Sequence, residues 1–160
     1  MKAHPALAPL EFLIGTWTGS GHGVYPTIES FDYDEEITIA PLGPKPMLRY
    51  SQLTWKPGTR EPMHSEVGYL RPVDADTAEL VIAQPTGVTE IHAGSITGRR
   101  IEFRTVSVGL APTAKEVSTV ERRLEVTGDR LSYELWMGAV GQPHQIHLAA
   151  TLERQLGSVT

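Results

Sequence analysis

From Leu131 to Ala139 the chain alternates without a break. Leu131, Tyr133, Leu135, Met137 and Ala139 fall on one side, Ser132, Glu134, Trp136 and Gly138 on the other. A period of two marks a strand with two unlike faces. Looser versions of the pattern occupy 16–25, 31–40, 46–56, 64–71, 78–84, 87–95, 100–108, 116–126 and 144–154. Turn residues separate them, among them Lys56-Pro57-Gly58, Pro85-Thr86-Gly87, Thr97-Gly98 and Thr127-Gly128-Asp129. The 15 glycines and 12 prolines are spread along the chain rather than gathered in one linker. Short links make neighbouring strands antiparallel. About ten strands must hide their edges, and a closed up-and-down barrel does so completely. The expected fold is therefore all-β: a closed antiparallel barrel of about ten strands. A barrel that wide is not filled by its own side chains, so a cavity is expected. Residues 5–14, with Leu7, Leu10, Phe12 and Ile14, read as a short N-terminal helix stopped by Gly15.

The 160 residues fit one domain, taken as 1–160. Cysteine is absent, so disulfides and thiolate metal sites are excluded. The formal net charge of −5 argues against nucleic acid as the main partner. No stretch approaches the roughly 20 apolar residues of a membrane-spanning helix. Met1 to Leu10 lack the pattern of a signal peptide, and the expected location is cytoplasmic.

Four segments carry candidate chemistry. In Gly15-Thr16-Trp17-Thr18-Gly19-Ser20-Gly21, continued by Gly23, alternate glycines strip one strand face. That admits a ligand or another backbone, or it lets a barrel strand bend with Trp17 as a plug. Among the histidines, His92 shares a face with Glu90 and reads as an exposed polar pair. His144 and His147 are three apart, on opposite faces of a strand, and cannot hold one metal together. Burial logic turns Ile146, Leu148, Ala150 and Leu152 inward and His147 outward. The contrary reading lines a cavity with the small face of His147, Ala149 and Thr151. Met63-His64 at a strand start can border a redox cofactor, or be a core methionine beside a rim histidine. Lys115, in a loop entering a strand, can meet an anionic group or stay solvated. Glu35 and Glu36 point to opposite faces and are poor partners for joint acid–base work.

The ordered set of segments resembles the nitrobindin family of heme-binding peroxynitrite isomerases. It comprises Gly15 to Gly21 running on through Gly23-Val24-Tyr25-Pro26-Thr27-Ile28, then Met63 to Arg71, Gly109 to Glu116, and His147 to Arg154. The resemblance implies a ten-stranded barrel with heme b at one open end and His147 as the axial iron ligand. It places Thr27 and Lys115 at the heme, by its propionates, and Met63 and His64 on the distal side. It implies isomerisation of peroxynitrite to nitrate on ferric heme and binding of nitric oxide by the ferrous form. It also turns the small face of the last strand inward, which would leave Leu148 to Leu152 for a homodimer to cover. The competing class is a non-catalytic barrel that carries a fatty acid or other apolar ligand.

Overall fold

The computed structural model describes residues 4–157, and these form one closed barrel. Its strands are β1 (Gly15–Tyr25), β2 (Ile28–Pro41), β3 (Leu48–Trp55), β4 (Pro62–Pro72), β5 (Thr77–Ala83), β6 (Val88–Thr97), β7 (Arg100–Leu110), β8 (Val117–Thr127), β9 (Arg130–Ala139) and β10 (Gln145–Arg154). Each strand pairs antiparallel with its sequence neighbours, and β1 pairs with β10 from Trp17↔Arg154 to Gly23↔Leu148. No strand edge is left open, which is what the alternation required. The hairpin turns at Gly98 (φ 60°) and Gly128 (φ 61°) use the left-handed backbone that glycine adopts without a Cβ penalty.

Pro5–Leu13 forms a 3₁₀ helix across one end of the barrel. Pro5 begins it, and Pro9 inside it has no N–H to give to an α-helical ladder. The His4 ring accepts from the Ala6 N–H at 3.2 Å. Leu7, Leu10 and Leu13 are fully buried against Trp17, Ile37, Ile39, Leu48, Leu70, Ile101, Phe103 and Leu131. Trp17 donates its indole N–H to the Leu13 carbonyl at 3.0 Å, and the Arg154 guanidinium lies 4.0 Å from its ring centroid. Arg154 also donates to the carbonyls of Phe12 and Ile14, so the last strand latches the helix to the barrel.

The glycines of β1 admit aromatic rings from β2. Gly21 pairs with Tyr33 and Gly23 with Phe31, and a Cβ at either glycine would collide with the ring opposite. Small residues on one strand make room for large ones on the next, and both rings then line the open half of the interior.

Candidate functional site

Away from the helix the barrel encloses a cavity of about 280 Å³. Phe31, Val117, Val120, Leu135, Met137 and Leu148 supply apolar wall, and Met63, His64 and His147 also face it. A second cleft of about 460 Å³ opens at the rim. Thr27, Thr86, Thr113 and Lys115 line it, and His147 borders both spaces. All five residues singled out in the sequence thus gather around the two spaces: Met63 and His64 at the inner, Thr27 and Lys115 at the outer, His147 between.

His147 reaches the interior by a route that alternation does not anticipate. In β10 the inward residues are Leu148, Ala150 and Leu152, whereas Ala149 and Thr151 are exposed. The expectation that the small face lines the cavity is therefore overturned. With it goes the idea that a partner covers an outer Leu148–Leu152 face. A register break between Ile146 and Leu148 on the β9 side leaves His147 as an extra residue. A bulge shifts the side-chain period by one, so consecutive residues share a face. His147 and Leu148 accordingly both line the cavity. Met63 owes its place to the same device. Thr54 pairs with His64 and Trp55 with Pro62, which leaves Met63 out of register beside His64.

Across from His147, Val24 falls in a register break between β1 and β2. Its carbonyl accepts a hydrogen bond from His147 Nδ1 at 2.9 Å. A carbonyl only accepts, so Nδ1 carries the proton and the lone pair of the neutral ring is on Nε2. Tyr25 and Phe31 pack edge-on to the imidazole, with centroids 5.2 and 6.3 Å away. Burial lowers the pKa of His147 against the raising effect of the Val24 carbonyl, which favours the neutral, ligand-competent ring. His144 is elsewhere, with Nδ1 2.9 Å from the Thr119 hydroxyl and Nε2 3.6 Å from Glu121. Among the described residues no group of three His, Asp or Glu side chains is placed to hold a metal ion by itself.

The cavity floor is charged, which the sequence reading missed. Arg122 donates to both oxygens of Glu66 at 2.8 and 2.9 Å and to Glu90 at 2.7 Å. His92, read as exposed, has no accessible surface, and its Nε2 donates to Glu90 at 2.8 Å. Burial alone would push the two carboxyls up. Arg122, helped by His64 at Glu66 and by His92 at Glu90, outweighs burial and holds both below the usual range. Gln84 bridges the two carboxylates at 3.1 and 3.0 Å. Beside this cluster lies Glu35, joined to Gln52 and Tyr133.

The sequence matches the family described as the THAP4-like, heme-binding beta-barrel domain over residues 6–154. It is 54% identical over 156 residues to a protein of Mycobacterium avium named peroxynitrite isomerase 2, covering 95% of this chain and 96% of that one. A Nocardia farcinica protein named peroxynitrite isomerase is 50% identical over 155 residues, covering 94% and 92% of the two chains. The crystal structure of Rv2717c from M. tuberculosis superposes with a TM-score of 0.90 at 49% identity, covering 97% of this chain and all of the other.

Proposed function

Because the chain belongs to the family of THAP4-like heme-binding β-barrel domains, we propose that it isomerises peroxynitrite to nitrate with heme b held by His147. The residues present fit that group. His147 offers an unprotonated Nε2 from a ring fixed by the Val24 carbonyl, the usual second partner of a metal-binding imidazole. The cavity walls are largely apolar, as a porphyrin face requires, and the rim carries the Lys115 cation and the Thr27 hydroxyl for propionates. Heme supplies an iron centre that is a Lewis acid toward an anion when ferric and a site for nitric oxide when ferrous. The barrel supplies position and a restricted, largely apolar pocket. Phe31 and Tyr25 hold the His147 ring, and Met63 and His64 border the space a small ligand would enter.

The observation that carries this reading is the His147–Val24 bond at the double register break. The test is stopped-flow mixing of peroxynitrite with hemin-loaded protein, followed by nitrate and nitrite analysis. Accelerated decay with nitrate as the product is expected. Decay no faster than with apo protein would overturn it.

A fatty-acid carrier is less well served. The terminal nitrogens of Arg122 are committed to Glu66 and Glu90, so the floor offers an acid's carboxylate two like charges and no spare cation. A homodimer is better placed on the outer wall of β3 to β6. There Leu53, Val67, Tyr69 and Ile91 are each more than two-fifths exposed, and Tyr69 aligns with Ile91 through Val81. Sedimentation of Val67→Glu should give a monomer if that face is used.

A further inference from the structure

Three acidic groups of the interior are joined in a row by hydrogen bonds. Tyr33 on β2 and Tyr133 on β9 are buried, with hydroxyl oxygens 2.7 Å apart. The Tyr133 hydroxyl is 3.0 Å from both oxygens of Glu35, which the Gln52 amide also meets. An ionised carboxylate only accepts, so Tyr133 donates to Glu35. Its proton is then committed, so Tyr133 accepts from Tyr33. The Tyr33 oxygen keeps its acceptor capacity, and its ring lines the cavity with Tyr133 and His147. The hydrogen bonds thus run one way: cavity, Tyr33, Tyr133, Glu35.

We propose that Tyr33, Tyr133 and Glu35 form a proton relay that takes up the proton released when peroxynitrous acid isomerises in the cavity, an inference that rests on the isomerase reading above. The acid is neutral and crosses an apolar wall more readily than its anion. Its product is nitrate, the anion of a strong acid. Isomerisation breaks the O–O bond, joins that oxygen to nitrogen and frees one proton, with no net gain or loss of electrons. The balance is HOONO plus Glu35 carboxylate giving nitrate plus Glu35 carboxylic acid. The substrate proton passes to Tyr33 as Tyr33 passes its own to Tyr133 and Tyr133 passes its own to Glu35. Burial pushes both phenols up, so the hops are concerted rather than routed through a tyrosinate. Once nitrate leaves, the reversed hydrogen bonds return the proton to water in the cavity.

The surroundings of Glu35 suit a group that both takes and releases a proton. Burial pushes its carboxyl up to about 7, against the hydrogen bonds from Gln52 and Tyr133. Glu66 on β4 pushes in the same direction as burial, and Arg122 on β8 opposes it. Tyr50 on β3 and Tyr33 on β2 complete the titratable groups around it. On β1 its partner is Gly19, which has no side chain, and β10 contributes Leu152 beside that glycine.

Two measurements test the relay. Infrared titration of the heme-free protein should show a carboxylic-acid C=O band that disappears as pH rises through neutrality and is missing in Glu35→Gln. In hemin-loaded protein with a normal Soret band, Tyr33→Phe cuts the path at its cavity end while leaving the bonds of Glu35 to Tyr133 and Gln52. The ratio of wild-type to variant isomerisation rate should peak near neutrality, on the order of 10²-fold, where the neutral acid meets an ionised Glu35, and should fall toward one as lower pH protonates Glu35. Glu35→Gln should show the same trend. A pH-independent ratio, or no titrating band in an active wild-type protein, overturns the relay alone. A wild-type protein that does not isomerise peroxynitrite overturns the isomerase reading, and the relay with it.

Discussion

The two halves of the barrel interior solve opposite problems. Under the N-terminal helix, Leu7, Leu10, Leu13, Trp17, Ile37, Ile101 and Leu131 have at most 1% of their surface exposed. At the other end the same strands leave a cavity walled by Phe31, Met137, His147 and Leu148 and floored by Glu66, Glu90 and Arg122. The sealed half earns stability from dry, close packing. The open half gives some of that up, holding polar groups in place by hydrogen bonds instead. Strand registers differ in the same way. Four of the five register breaks adjoin the cavity or its rim, at Val24, Met63, Ser118 and His147, and the fifth lies next to His92 on the floor. Stability and ligand chemistry are thus separable along the barrel axis.

That division is open to test. Trp17→Ala should cost about 3–5 kcal/mol in denaturant unfolding, as large buried aromatics do, because the sealed half has no spare space to collapse into. If it costs under about 1 kcal/mol, the sealed half is not the source of stability.

Glu35 should show its effect in pH dependence. Its folded value of about 7 lies above its ordinary 4.5, so the folded state binds that proton more tightly. Its contribution is complete below about pH 4.5 and is lost as pH rises to about 7, with an upper bound on the order of 3 kcal/mol. Glu66 and Glu90 act in the opposite sense, losing stability as pH falls below the ordinary carboxylate range. Glu35→Gln should flatten the decline between pH 4.5 and 7 and leave the acid limb in place. An unchanged slope would mean that Glu35 is ionised throughout.

Smaller effects follow at the edges of the open half. Gly21→Ala should cost about 1–3 kcal/mol by forcing the Tyr33 ring aside, and it should disturb hemin binding as well as folding. Lys115→Ala at the rim should weaken hemin by no more than about fivefold, the effect of losing one exposed ion pair. A protein that can no longer be loaded would give Lys115 more than a peripheral role.

The sealed half is the half that sequence describes best. Alternation and turn residues predict the ten strands, and the observed ends fall within about three residues of the expected ones, as is usual for boundaries read from pattern. The open half departs from alternation wherever it carries chemistry. Period two assigns polar residues outward, so His92 and Glu90 read as surface. In fact both point inward: His92 bonds Glu90, and Glu90 meets Arg122 two strands away on β8, where Glu66 also reaches it from β4. Alternation separates Glu35 from Glu36, but the partners of Glu35, Gln52 and Tyr133, lie on other strands and leave no local signal. The orientation of His147 was not legible at all from its own strand. One extra residue between Ile146 and Leu148 reverses a face, and nothing in that segment announces the bulge. The resemblance points to His147 through an inward small face, but Ala149 and Thr151 of that face are exposed and the bulge alone turns His147 toward the cavity.

The most direct test is a hemin titration of wild-type and His147→Ala protein, followed by visible absorbance. Unfolding of both apo proteins should be measured alongside. The account predicts a saturable one-to-one Soret shift that the variant loses. It also predicts apo stabilities within about 1.5 kcal/mol of each other, since the ring makes one hydrogen bond in the half of the barrel that contributes least to folding. Equal hemin uptake by both proteins would contradict the assignment of His147 and, with it, the separation of the barrel into a half that folds and a half that binds.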